Sequence, residues 1–282
     1  MLFPQNLGAK LSIDETCLSH GELYTIVTNK AAKGKKGSIV AIVAGTKADK
    51  VIEVLCKIPL NKRNRVFEVT LDMSGSMDLI VRRSFPLASR VTDRFHVQKL
   101  AVEALQEMRI KYRWEALDQE NTAIEKCRRK GQTFQAALLE NGDSVKQLLA
   151  RSRYVLYKRA SKWTENQKKR ALILFERYPD LKRAYNLFME LSNIFENTKE
   201  KIYGMTRLAR WHEKVRQAGF RSFNTISRTI QNHYKTILNY FDNRSTNAAA
   251  ESFNAKVKAF RSNLRGVRDV KYFLFRLTNI YA

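Results

Sequence analysis

Val66-Phe67-Glu68-Val69-Thr70-Leu71-Asp72 is a short run rich in β-branched and apolar residues that closes on an acid. It predicts a strand over 66–71 with a carboxylate at its end. On its N-terminal side the chain supplies three more strands. Lys10–Asp14 carries Leu11 and Ile13 at period two and also ends on an acid. Glu22–Thr28 follows the turn expected at Ser19-His20-Gly21, and Ser38–Ala44 follows a loop, 29–37, with four lysines. The near-continuous apolar run 38–44 predicts a buried, central strand. The short links make these three an antiparallel meander. Between 44 and 66, Val51, Val54, Leu55 and Ile58 form a helical stripe, with Thr46 as its expected cap and Pro59 as its stop. Beyond Asp72, a short helix over about 78–84 precedes Pro86, and Ser89–Thr92 is a fifth strand ending at Asp93.

From His96 the pattern turns helical. Leu100, Leu105, Met108, Tyr112 and Leu117 continue one helix, and Asn141-Gly142-Asp143 is a break. Helices are expected over 148–157, 165–177, 181–197 and about 198–218. Thr164 and Gln167 have capping-box form. Near the C-terminus, 248–263 reads as a helix broken at Gly266, with a short terminal helix over 269–280. These strands and helices make a mixed α/β chain.

The charge balance narrows the partners. The 282 residues hold 52 Lys and Arg against 27 Asp and Glu, a net of +25. Residues 201–282 alone carry sixteen basic and four acidic residues. A field of that sign attracts a polyanion, nucleic acid above all. No apolar run approaches the ~20 residues of a membrane span. Cys17, Cys56 and Cys127 lack paired spacing, so reduced thiols are expected. The first residues lack the regions of a signal peptide. A soluble, cytoplasmic, nucleoid-associated protein with no membrane partner follows as the expectation.

Two acids at strand ends, Asp14 and Asp72, and one on a basic late helix, Glu251, can converge on a pair of divalent cations. The bland reading of a strand-end Asp is a turn or cap residue. For Glu251 it would be a helical ion pair, but its i+4 neighbour is Ala255. Asn254, Lys258, Arg261 and Arg265 follow Glu251 on the same helical face and could hold phosphates; a solvated basic face competes. Glu15 and Asp78 read as surface acids. His20, His212 and His233 lack partners at ligand spacing. Between 201 and 241, eight basic residues face one acid among Tyr203, Trp211, Phe220, Phe223, Tyr234 and Tyr240. A base-stacking platform is conceivable there, but aromatics at helical spacing fit a core better.

Three ordered motifs then carry a resemblance. Ile13-Asp14-Glu15 with Gly21 and Tyr24 is the first. Asp72-Met73-Ser74, Ser84-Phe85-Pro86-Leu87-Ala88 and Asp93-Arg94-Phe95-His96-Val97 form the second. Asn247 through Lys258, with Arg261 and Gly266, is the third. Over residues 8–282 the chain resembles insertion-sequence transposases of the DDE type, the ISL-three group in particular. The resemblance implies an RNase H-like mixed sheet with an all-helical insertion between the second and third catalytic acids. The core would be 8–96 and 241–282, and the insertion 97–240. It implies a metal-binding catalytic triad of Asp14, Asp72 and Glu251, with Asp93 and His96 as an auxiliary Asp-x-x-His pair. Mg2+, with Mn2+ as a substitute, is the implied cofactor. Transposon-end and target DNA are the implied substrates, handled by a homodimer or larger assembly. Family members carry an end-reading zinc and helix-turn-helix region. Only about a dozen residues precede Asp14, so either end recognition is expected on a separate chain or the sequence is a fragment. A nuclease of the same fold without strand transfer, or an inactive basic DNA-binding protein, are the competing readings.

Overall fold

The computed structural model describes residues 1–19, 22–264 and 269–282. Arg265, Gly266 and most of the turn expected at Ser19-His20-Gly21 lie outside the described residues. The chain divides into two compact units, Met1–His96 with His233–Ala282, and Val97–Asn232.

The first unit is built on one mixed sheet of five strands, β1 (Lys10–Ser19), β2 (Glu22–Asn29), β3 (Ile39–Ala44), β4 (Glu68–Leu71) and β5 (Ser89–Thr92). Their order is β3-β2-β1-β4-β5. The first three pair antiparallel, as the short links require; β4 adds parallel to β1, and β5 parallel to β4. β1 runs past the expected Asp14 because β2 continues beside it, with Thr16 opposite Tyr24.

β3 is an edge strand, which corrects the expectation of a central one. Its apolar run has another cause: both of its faces are covered. Val40, Ala41 and Val43 pack into one core with Val51 and Leu55 of α1 (Ala48–Cys56). Ile39 and Ile42 pack into another. The free edge is capped by the N-terminus, where Phe3 N–H donates to Val40 O (2.8 Å) and the Met1 ammonium to Ile42 O (2.8 Å). A covered edge cannot template unwanted pairing.

α1 opens after Lys47 and not at the expected Thr46 cap. A four-residue helix, α2 (Leu60–Arg63), follows Pro59. α3 (Gly75–Ser84) starts three residues before Asp78, because Ser74 Oγ caps it by accepting from Met77 N–H (3.2 Å). α3 supplies Met77, Ile80 and Val81 to the α1 side of the sheet.

α4 (Arg94–Arg129) is 36 residues long, and from Val97 onward it belongs to the second unit. The helix expected over 148–157 is two pieces, α5 (Val145–Arg151) and α6 (Arg153–Tyr157). α7 (Glu165–Arg177) begins at the predicted capping box, with Thr164 Oγ1 accepting from Gln167 N–H and Gln167 Oε1 from Thr164 N–H. α8 (Pro179–Asn197), α9 (Lys201–Ala218) and α10 (Arg221–Asn232) complete the unit. Trp211 and Phe223 are fully buried core residues here, and Trp211 Nε1 donates to Leu187 O (2.9 Å), whereas Tyr203 is exposed. His212 is hydrogen-bonded to Ser227 Oγ (2.7 Å).

The first unit resumes with α11 (Tyr234–Leu238) and α12 (Tyr240–Asn243), then α13 (Ala248–Asn263) and α14 (Val270–Tyr281). Phe253 and Val257 of α13 and Phe273 and Leu277 of α14 close the sheet face opposite α1 and α3. Each such side chain contributes about 1.5–3 kcal/mol by leaving water. Helices thus cover both faces of the sheet. No helix among the described residues is long and apolar enough to cross a membrane.

Candidate active site

The alternation along β4 sets the site. Val69 and Leu71 enter the core beneath α1 and α3. Glu68, Thr70 and Asp72 therefore project to the other face, the one α13 covers. β1 and β4 run parallel with Ser12 opposite Thr70, so two residues further on Asp14 and Asp72 stand side by side. β4 and β5 run parallel with Leu71 opposite Thr92, so one residue further on Asp93 stands beside Asp72. The Asp93 N–H bond to Leu71 O (3.0 Å) continues that ladder. Adjacent strands lie about 4.8 Å apart. Three carboxylates thus stand in a row, two just past the carboxyl ends of β4 and β5 and one, Asp14, within β1 where its parallel pairing with β4 has ended; the carboxyl edge of parallel strands is where open α/β sheets take ligands.

Local bonds hold each carboxylate. Asp14 Oδ1 accepts from Glu15 N–H (2.9 Å), and its Oδ2 accepts from Asn254 Nδ2 (2.8 Å). Asp72 Oδ1 accepts from Ser74 N–H (2.9 Å) in the turn that also caps α3. Asp93 is fully buried and accepts from Phe95 N–H (3.4 Å); the backbone N–H of Asn247, the residue that precedes α13, favours its charged form. Its Oδ2 has no hydrogen-bond partner among the described residues, and His96 Nε2 lies 4.0 Å from it.

α13 is thus fastened to the sheet by Asn254 on Asp14. Glu251 lies one turn earlier, in the first turn of the helix, partly open to solvent. Burial pushes the Asp14 carboxyl above its ordinary value. The Glu15 N–H and His96 oppose this, while the charges of Asp72 and Asp93 add to it. Burial likewise raises Asp93, against the N–H of Asn247 and against His96. Glu251 is raised by burial, then by Asp93 and Asp14. Glu15, read from sequence as a surface acid, is raised by burial and by Asp72 and Asp14. The structure therefore brings Asp14, Asp72, Asp93, His96 and Glu251 into one electrostatic neighbourhood.

The other residues separate. Asn254 bonds Asp14. Lys258 is exposed one turn further along α13, and Arg261 stands near the end of that helix. Asp78 is taken by Arg90 (2.5 Å) and lies outside this neighbourhood.

Sequence reasoning passed over Glu68. It is fully buried and accepts from Asn243 Nδ2 (3.2 Å) and from Ser245 Oγ, with Lys30 Nζ 3.4 Å away. Lys30 also donates to Thr70 Oγ1. This polar column ties the segment ahead of α13 to β4. An acid between the apolar residues Phe67 and Val69 in a strand was the available signal.

All the candidate donors are carboxylate oxygens, the hard ligands that Mg2+ and Mn2+ prefer. Among the described residues no three His, Cys, Asp or Glu side chains stand already closed to metal-ligand spacing. Crowded, partly desolvated carboxylates and the unpartnered Asp93 oxygen nevertheless fit a cation that would relieve their repulsion.

Comparison with known families gives a match over residues 11–277 to a family described as Transposase, of the DDE type and ISL-three group. No curated protein matches the chain.

Proposed function

The chain belongs to the ISL-three group of DDE transposases, and on that premise we propose that it cuts DNA phosphodiester bonds at transposon ends and joins the freed 3′-hydroxyl to target DNA. The observation that carries this reading is the row of Asp14, Asp72 and Asp93 with α13 pinned above it.

Asp14, Asp72 and Glu251 would hold the divalent cations, Mg2+ or Mn2+. When bound, such ions make the attacking water or 3′-hydroxyl more acidic and offset charge on the leaving oxygen. Asn254 orients Asp14 through its 2.8 Å bond. Asp93 lies beside the start of α13 and faces His96, which makes the pair a positioning device for the Glu251 helix. Lys258 and Arg261, further along the same helix, are placed to hold flanking phosphates, fixing the strand without reading its sequence.

The mixed sheet, its meander followed by parallel strands, and the late helix that carries Glu251 support an RNase H-like core. Residues 8–96 and 233–282 would form that core, and 97–232 the helical insertion, which ends eight residues earlier than the 240 expected from sequence. Cutting two element ends calls for two active sites, hence a dimer or larger assembly on DNA.

Labelled element-end DNA incubated with Mn2+ and unlabelled target tests the reading. Nicked ends plus joined product are expected. Nicks alone would favour a nuclease without transfer, and no nicks an inactive DNA-binding protein.

The raised carboxyls give a second test. A carboxyl whose folded-state value is raised contributes stability that is fully present below its unfolded value and lost as pH rises through the raised one. Asp14, Asp93 and Glu251 all shift that way. Their ionisation therefore weakens the metal-free fold near neutrality, and cations remove that penalty. The rise in Tm on adding Mg2+ is expected to be larger at neutral pH than in mild acid. An equal rise at both would sever the cation from these carboxylates.

A further inference from the structure

The helical unit holds a cavity of about 530 Å3 between α4 and α6. Arg109, Arg113, Trp114, Arg153 and Tyr157 line it. Arg109 is buried and fixed: its Nε donates to Gln106 Oε1 (2.7 Å) and its Nη1 to Leu149 O (2.8 Å). Arg113 and Arg153 make no ion pair among the described residues. Arg153 lies against the rings of Tyr154 and Tyr157 (5.9 and 6.0 Å). Trp114 is 62% exposed and Tyr157 41%.

Three guanidinium groups around one hollow, with no carboxylate among the residues that line it, repel one another. Burial, then the charges of Arg113 and Arg153, make Arg109 easier to deprotonate than an ordinary arginine. A structural arginine cluster would ordinarily come with acids. An anion that also offers a flat apolar face would satisfy both the charge and the exposed rings. Guanidinium groups take phosphate oxygens through paired N–H donors, and bases stack on Trp and Tyr. The volume lies within the range of small-ligand sites.

We propose that this cavity takes one unpaired nucleotide of a DNA strand, with its base on Trp114 and Tyr157 and its phosphate on Arg113 and Arg153. It rests on DNA being the substrate, not on the carboxylate site, and gives the helical unit a role in holding a strand end open.

Fluorescence anisotropy of the full chain in EDTA tests this, using two labelled duplexes that differ only by a single unpaired 2-aminopurine. The duplex with the unpaired base is expected to bind more tightly, and its fluorescence to be quenched by stacking. Trp114→Ala should lower that preference roughly tenfold, and Trp114→Phe should keep most of it. An Arg113→Ala, Arg153→Ala double variant should lose it as well. Circular dichroism checks that each variant is folded, which the exposure of Trp114 favours. The readout is binding in EDTA, with no cleavage step, so a failure at the carboxylate site would not be mistaken for a failure here. A parent without preference, a Trp114→Ala variant that keeps it, or a free deoxynucleotide that competes as well as the unpaired strand would each overturn the assignment.

Discussion

Changing Asp72 to Asn is expected to lower DNA strand cleavage about a thousandfold or more while leaving the fold intact. The Asn carbonyl can still accept from Ser74 N–H, so the turn that caps α3 survives. What is lost is the negative charge, and a neutral amide is a poor ligand for a hard divalent ion. Asp14→Asn and Glu251→Gln should fall by similar factors, because one missing ligand disables a shared site. The losses should not multiply: a double variant is expected to be little worse than either single one, as happens when residues act as a unit. Cleavage rates on labelled DNA, with melting curves to show intact folding, decide the matter. A Glu251→Gln variant with unimpaired cleavage would remove α13 from the chemistry.

Glu68→Ala is expected to cost about 3–5 kcal/mol of stability, read as a fall in Tm of roughly 10 °C. Glu68 is completely buried, and its removal leaves the half-buried Lys30 without its counter-ion. It also frees Asn243 and Ser245, which stand just ahead of α13. The stability loss should therefore come with weaker cleavage even below the new melting point, since Glu251 rides on that helix. A variant as stable as the parent would mean that the column beneath α13 carries no net stabilisation.

The strands were legible because their signals are local. β5 was read to its ends, and β4 was placed correctly although it begins two residues later than expected. α7 and α13 begin and end where reading of the sequence put them, the first through its capping box and the second through its alanine-rich start. β3 misled, because burial on both faces writes the same apolar run whether a strand is central or an edge covered by the N-terminus. α4 extends twelve residues past Leu117 to Arg129 with none of them buried, and without an apolar stripe there was nothing periodic to follow. α10 does carry a stripe, Phe223, Ile226 and Ile230, that the aromatic and basic richness of its surroundings obscured.

At the site, Asp14 and Asp72 were visible as acids following apolar runs, although β1 continues past Asp14 to Ser19. That Asp93 shares their row depends on β5 pairing parallel to β4, a fact of topology. The bond from Asn254 to Asp14 spans 240 residues of chain and no local pattern encodes it. The helical spacing of Asn254 from Glu251 shows only that the two share a face.

The most direct measurement replaces Mg2+ with Fe2+ and adds ascorbate and peroxide, so that a bound iron cuts the nearest backbone. Cuts next to residues 14, 72 and 251 in the same sample, suppressed by excess Mg2+ and lost together in Asp72→Asn, are the predicted result. Cuts at one of these positions without the others, or a pattern unchanged by Asp72→Asn, would contradict a shared cation site.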